Sequence, residues 1–156
     1  MKAFELIIAR GETVAFAESL TGGLIAAAFI ENPGASAAIH ESYVTYAEAS
    51  KQRLLGVKKE TLESDGVVSA ACACQMAAGA RARSGADWAV SATGLAGPDG
   101  GTAEKPVGTV FIGIAGKSGA FAREFHFSGD RAAVRRQAVE AALSTLAEAI
   151  EHENPA

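Results

Sequence analysis

Ser19 and Lys51 are the side chains of this sequence best suited to covalent chemistry, and each also has an ordinary job it could be doing. Ser19 lies in Thr13-Val-Ala-Phe-Ala-Glu-Ser-Leu-Thr-Gly-Gly23, an apolar run that ends in a glutamate, a serine, a threonine and two glycines. The run reads as a buried strand, Val14 to Ala17, turning into a helix. At such a junction a helix exposes unpaired N–H groups, and α/β proteins place binding and catalytic groups there. A serine hydroxyl at that point can be an N-cap, an anion ligand or a nucleophile. Glu18 and Thr21 could serve as caps equally well. The nucleophile needs a base.

Histidine is the usual base, and the chain has three: His40 opening a strand, His126 in an alternating strand and His152 in the tail. Glu18-Ser19-Leu20 lacks the flanking glycines of the hydrolase elbow, so a Ser-His-Asp arrangement has little support. Lysine is the other option. A desolvated lysine loses its charge and can accept a serine proton. Lys51 sits in Tyr46-Ala-Glu-Ala-Ser-Lys51, early in a helix that follows a strand. It is either that base or an exposed helix lysine. Tyr46 ends the strand, where its phenol either faces the same cleft or packs at its rim.

Two further stretches could hold a ligand. Gly94-Leu-Ala-Gly-Pro-Asp-Gly-Gly-Thr-Ala-Glu-Lys-Pro106 has four glycines and two prolines in the middle of the domain. Loops of that length inside compact domains are usually functional. Gly94 and Gly97 would let a ligand approach the backbone, although Pro98-Asp-Gly is also ordinary turn chemistry. The loop is not a Walker A motif. Ser128-Gly-Asp-Arg-Ala-Ala-Val-Arg-Arg136 places three arginines in the first two turns of a helix, where cations oppose the helix dipole. Arg131 and Arg135 are i,i+4 and share a face. A bound phosphate would offset the unfavourable placement; surface pairing with Asp130 or Glu140 is the alternative.

The elements that must position these groups follow from period and punctuation. Helices are expected at residues 3–10, 22–31, 47–55, 59–64, 69–84 and from Asp130 to about residue 150. Strands are expected at 14–17, 40–46, 88–93, 107–115 and 121–127, the last two joined by a Gly116-Lys-Ser-Gly119 hairpin. About five strands interleaved with helices predict one domain over residues 1–156: a three-layer α/β/α sandwich on a mixed sheet. The tail from His152 to Ala156 is expected to fray.

Composition agrees. The 156 residues are 49% hydrophobic and 21% charged, as in globular proteins that bury a core. A balance of 14 basic against 18 acidic residues, net −4, offers no bulk attraction to nucleic acid or anionic lipid. No apolar run approaches the roughly 20 residues that span a bilayer, and the N-terminal apolar run, with Glu5 within it, is too short for a signal peptide. A cytoplasmic protein is expected. Cys72 and Cys74 are i,i+2 on a helix and point to different faces, which argues against a disulfide between them; no zinc-ligand spacing is present.

Ala17-Glu-Ser-Leu-Thr-Gly-Gly23, Val44-Thr-Tyr-Ala-Glu-Ala-Ser-Lys51, Thr93-Gly-Leu-Ala-Gly-Pro-Asp-Gly-Gly101 with Glu104-Lys-Pro-Val-Gly-Thr-Val110, and Phe127-Ser-Gly-Asp-Arg-Ala-Ala-Val-Arg-Arg136 occur in that order. Together they resemble the CinA C-terminal domain family, from about residue 3 to residue 150. That family includes stand-alone nicotinamide mononucleotide deamidases. The resemblance implies an amidohydrolase that turns nicotinamide mononucleotide and water into nicotinate mononucleotide and ammonia, through a Ser/Lys dyad and without metal or cofactor. It implies Ser19 as nucleophile and Lys51 as base, with Tyr46, Thr21, Thr93 and Arg135 as further polar positions of the pocket. Gly22, Gly23, Gly94 and Arg131 complete the candidate binding set, the Thr21-Gly22-Gly23 helix start being the expected source of oxyanion donors. A homo-oligomer, dimer or larger, is expected from the same likeness. Leu20 departs from the many members with cysteine there. A nucleotide-binding module without catalysis, and an interaction domain using its basic helix start, are the other classes this sequence allows.

Overall fold

A computed structural model describes residues 1–154. Five strands form one sheet: β1 (Val14–Glu18), β2 (Tyr43–Val44), β3 (Trp88–Gly94), β4 (Thr109–Gly116) and β5 (Gly119–His126). Their spatial order is β2-β1-β3-β4-β5. β1 runs parallel to both β2 and β3, whereas β4 runs antiparallel to its two neighbours, β3 and β5, so the sheet is mixed as expected. Lys117 and Ser118 form the two-residue loop of the β4–β5 hairpin.

Six helices cover the two faces: α1 (Lys2–Arg10), α2 (Leu24–Ile30), α3 (Glu48–Leu55), α4 (Lys59–Ser64), α5 (Ala70–Ser84) and α6 (Arg131–His152). The period of two along each strand sorts the core. Val14 and Phe16 of β1 join Val90 and Ala92 of β3 in a cluster with Ile7, Ile25, Phe29, Val134 and Leu146, so α1, α2 and α6 lie on that face. Ala17 and Ala89 face the other way, into a cluster with Leu55, Leu62, Cys72 and Met76 of α3, α4 and α5. This is the three-layer sandwich. Ser69 caps α5 through the Cys72 N–H, and Asp130 caps α6 through the Ala133 N–H.

Several boundaries differ from those the sequence suggests. β2 pairs over two residues rather than seven, because it is an edge strand and only Tyr43 and Val44 form ladder pairs with β1. α2 starts at Leu24 instead of residue 22: Gly22 and Gly23 take φ of 58° and 102°, a left-handed backbone that the helix cannot use. β4 begins at Thr109, two residues late, since Gly108 at φ 96° turns the chain into it. α6 continues through His152, which therefore does not fray; residues 155 and 156 of the expected frayed tail lie outside the described residues.

The order β2-β1-β3 matters for function. The chain leaves β1 toward β2 on one side by way of α2, then returns past β1 to β3 by way of α3 to α5 on the opposite face. The connections diverge beyond the carboxyl ends of β1 and β3. In open α/β sheets that crevice is where ligands bind.

Candidate active site

Ser19 follows directly on β1, at this crevice, and its N–H is anchored to the Ala92 carbonyl of β3 at 3.1 Å. The residue before it resolves the capping question. Glu18 is wholly buried, and its carboxylate accepts the N–H groups of Ile25 (2.9 Å) and Ala26 (3.1 Å) in the first turn of α2. With Glu18 as the anionic partner of that helix start, the Ser19 hydroxyl is free of capping. It meets the amine of Lys51 at 3.0 Å.

Lys51 is no surface lysine. It is 0% exposed, on the inner side of α3. Its Nζ contacts the Thr45 carbonyl at 2.6 Å and the Tyr46 carbonyl at 3.1 Å in addition to Ser19 Oγ. No carboxylate lies within ion-pair distance of it among the described residues. Burial pushes this amine below the ordinary lysine value; Cys72 and Glu48 oppose that, more weakly. The Cys72 thiol is itself pushed up to about 11 by burial, so near neutrality it bears no charge and the Glu48 carboxylate is the group left opposing.

Ser19, Tyr46, Thr93, Gly94 and Arg131 line one cavity of about 260 Å³, walled further by Val67 and Val68 and by the loop through Gly97 and Asp99. The Thr93 hydroxyl donates to the Val67 carbonyl at 2.8 Å and so ties β3 to that wall. Arg131 donates to the Gly97 carbonyl at 2.8 Å and to the Tyr46 hydroxyl at 3.2 Å, bridging two sides of the cavity. A groove of about 330 Å³ lies at the other end of β3, against Trp88, Phe121 and His152, remote from the Ser19–Lys51 contact.

Thr21, Gly22, Gly23 and Arg135 do not line the cavity; they build and brace the turn after Ser19. Arg135 Nε donates to the Leu20 carbonyl at 2.8 Å, and its terminal nitrogen reaches the Thr21 carbonyl at 3.4 Å. The i,i+4 pairing of Arg131 and Arg135 therefore does not make a shared clamp: one faces the cavity, the other the backbone behind it. The Gly22 N–H donates back to the Ser19 carbonyl at 3.1 Å and is occupied. The Thr21 hydroxyl is buried with no partner among the described residues. Gly94 owes its small size to the neighbouring strand, because a Cβ there would stand 2.7 Å from the Thr109 carbonyl oxygen.

Sequence reasoning missed three contributors. Glu48 and Asp99 line the cavity. Lys105 donates to the carbonyls of Asp65 (3.0 Å) and Val68 (2.5 Å), clasping the glycine-rich loop to the Val67–Val68 wall. The signal for all three was a charged residue inside or beside a singled-out motif. Among the described residues no group of three or more His, Cys, Asp or Glu is placed to hold a metal ion. No helix among them is long and apolar enough to cross a membrane.

Comparison with known proteins shows the family. A nicotinamide-nucleotide amidohydrolase PncC of Enterobacter agglomerans is 52% identical over 138 residues, covering 88% of this chain and 84% of that protein. A CinA-like protein of Anaeromyxobacter sp. (strain K) is 51% identical over 140 residues, 90% of this chain. The chain spans about a third of the length of such CinA-like relatives, 34% in that case. The crystal structure of a CinA-superfamily protein from Klebsiella pneumoniae superposes with a TM-score of 0.93 at 36% identity, over 97% of this chain and 95% of that one. The family match, to the CinA C-terminal domain, extends over residues 1–150. The chain belongs to the CinA C-terminal domain family.

Proposed function

We propose that this protein is an amidohydrolase that deamidates nicotinamide mononucleotide to nicotinate mononucleotide and ammonia, with Ser19 as nucleophile and Lys51 as its base. The observation that carries the reading is the 3.0 Å contact between Ser19 Oγ and an amine that is completely buried. The amidohydrolase relative from Enterobacter agglomerans supports the choice of substrate.

The three partners of Lys51 are consistent with a base. Carbonyl oxygens can only accept, so Thr45 and Tyr46 hold two N–H bonds in either protonation state. An ammonium gives its third N–H to Ser19. A neutral amine has no third N–H; its lone pair takes that direction and receives the Ser19 proton. Burial favours the neutral form.

Ser19 attacks the carboxamide carbon while Lys51 takes the hydroxyl proton. The positive pyridinium ring draws electrons from that carbon. The N–H of Leu20, which lines the cavity beside Ser19, is the oxyanion donor in this reading, in place of the occupied Gly22. Arg135 braces this turn from behind by holding the Leu20 carbonyl. The tetrahedral intermediate collapses, Lys51 hands its proton to the departing amine, and ammonia leaves a Ser19 ester. Water, deprotonated by Lys51, attacks that ester; Lys51 returns the proton to the departing Ser19 Oγ, and the acid product loses its proton to solvent as the carboxylate. Arg131 binds the 5′-phosphate.

Coupled measurement of ammonia release over a panel of pyridine-nucleotide amides tests this. Nicotinamide mononucleotide is expected to be hydrolysed, and Ser19→Ala to abolish turnover while keeping the fold. Ammonia release by Ser19→Ala at the wild-type rate would refute the mechanism. Binding of the nucleotide with no ammonia released by the wild type would make the chain a nucleotide-binding domain instead.

A further inference from the structure

The cavity beside Ser19 holds three charged side chains that do not pair with one another. Arg131 spends its guanidinium on two neutral oxygens, those of Gly97 and Tyr46. Glu48 and Asp99 line the same cavity, and neither makes an ion pair among the described residues. A guanidinium and two carboxylates kept apart in one small space offer contacts of both signs to a ligand that carries both.

We propose that Glu48 and Asp99 select the positive charge of the substrate's aromatic ring, so that this pocket prefers N-substituted pyridinium carboxamides over neutral aromatic amides. The proposal rests on the deamidase reading above and adds the basis of its specificity. Glu48 stands three residues before Lys51 on α3 and lines the cavity with Ser19, its side chain open to solvent. Asp99 comes from the glycine-rich loop that walls the cavity. Arg131 is held by the Gly97 carbonyl and the Tyr46 hydroxyl on the same cavity wall, and in this reading it takes the phosphate while the carboxylates take the ring.

The placement of Glu48 has a cost that only a cation removes. A carboxylate near Lys51 favours the protonated amine and so works against the base. A pyridinium ring seated beside Glu48 neutralises that influence and adds its own repulsion toward an ammonium. A neutral ring does neither. Recognition of the ring charge and release of the base thus share one contact.

The test separates charge from shape. Nicotinamide mononucleotide and its reduced form share the ribose phosphate and the carboxamide, but the dihydropyridine ring is uncharged. Both are titrated calorimetrically into Ser19→Ala, which binds without turnover. One solvent-accessible charge contact is worth about a factor of five, so two predict a preference for the oxidised form of about ten-fold or more. In Ser19→Ala with Glu48→Gln and Asp99→Asn the preference is expected to fall to about two-fold or less, with affinity for the reduced form held within about two-fold. A preference that survives the loss of both carboxylates overturns the proposal, as does an equal loss for both ligands or a failure of both to bind Ser19→Ala. Failure of the deamidase reading shows up elsewhere, as wild-type protein that binds the oxidised form preferentially and releases no ammonia.

Discussion

Replacing Lys51 separates a base from a mere hydrogen-bond donor. Lys51→Arg keeps a positive charge and several N–H donors, but a guanidinium does not deprotonate in this range and cannot accept the Ser19 proton. Lys51→Met fills the same volume without a charge. If Lys51 is the base, both variants lose about 10²–10⁴-fold in kcat, the usual contribution of a positioned proton acceptor. A second readout ties that loss to the state of the amine. The buried amine has its pKa lowered from 10.5 in the fold, so between the folded value and 10.5 the unfolded chain binds the extra proton. Stability from this group therefore rises with pH across that window, by up to about 1.36 kcal/mol per pH unit. Below the window the amine is charged in both states and the burial cost is paid in full; above it the cost is absent.

The assay is urea unfolding of wild type and Lys51→Met at intervals from about pH 6 to about pH 9. The difference in unfolding free energy, wild type minus variant, is expected to climb once pH passes the folded pKa. The acid limb of kcat/KM against pH should rise over the same interval, because the free enzyme's base and the unfolding difference report one titration. A stability difference flat to pH 9 would mean the amine keeps its proton and is no base. A rising difference with an unmoved activity limb would mean the amine is neutral but uninvolved.

The two arginines should part in kinetics. Arg131→Ala is expected to raise KM by about 10–100-fold with kcat little changed, the loss of one charge-assisted phosphate contact. Arg135→Ala should instead lower kcat by about 10²-fold at nearly constant KM, as the Leu20–Thr21 turn loses its brace. The reverse pattern in steady-state kinetics would exchange their roles. Glu18→Ala leaves two N–H groups of α2 without an acceptor and is expected to cost about 2–4 kcal/mol. A Tm fall on the order of 10 °C in a thermal melt checks it; no fall would mean that the helix start is satisfied otherwise.

Much of the fold was legible because it rests on period and punctuation. The hairpin, the caps at Ser69 and Asp130 and the helices all sit close to where glycine, cap residues and spacing put them. The misses have local causes. The extended stretch 40–46 looks like a strand, but pairing depends on what lies beside it, and at this sheet edge only two residues find partners. Gly22 and Gly23 were visible, yet whether a glycine pair opens a helix or turns the chain before it depends on φ, which composition does not specify. The candidate site shows the same division. That Ser19, Lys51 and Tyr46 lie close together was readable from their motifs. The depth of Lys51 was not, because a lysine early in a helix is ordinarily exposed, and this one is drawn inward by two carbonyls of the segment before its own helix. Nor was the split between Arg131 and Arg135, since helical spacing says that two side chains share a face but not how far each reaches.

The arrangement of buried charge carries the deepest constraint. Glu18 and Lys51 are both completely buried and belong to the same site, one next to Ser19 in the chain and the other bonded to it. They do not pair. Glu18 follows Phe16 onto the face of the sheet that carries α2, where two helical N–H groups meet it. Lys51 lies on the opposite face, with α3, where only neutral oxygens meet it. The period of two along β1 is what keeps carboxylate and amine apart. Moved by one residue along β1, the glutamate would face α3 and the buried amine instead. A buried Glu–Lys pair holds its proton on lysine and deprives serine of a base. A helix start that takes the carboxylate and a pair of carbonyls that take the amine are therefore two parts of what the proposed mechanism requires: an uncharged lysine beside a free hydroxyl.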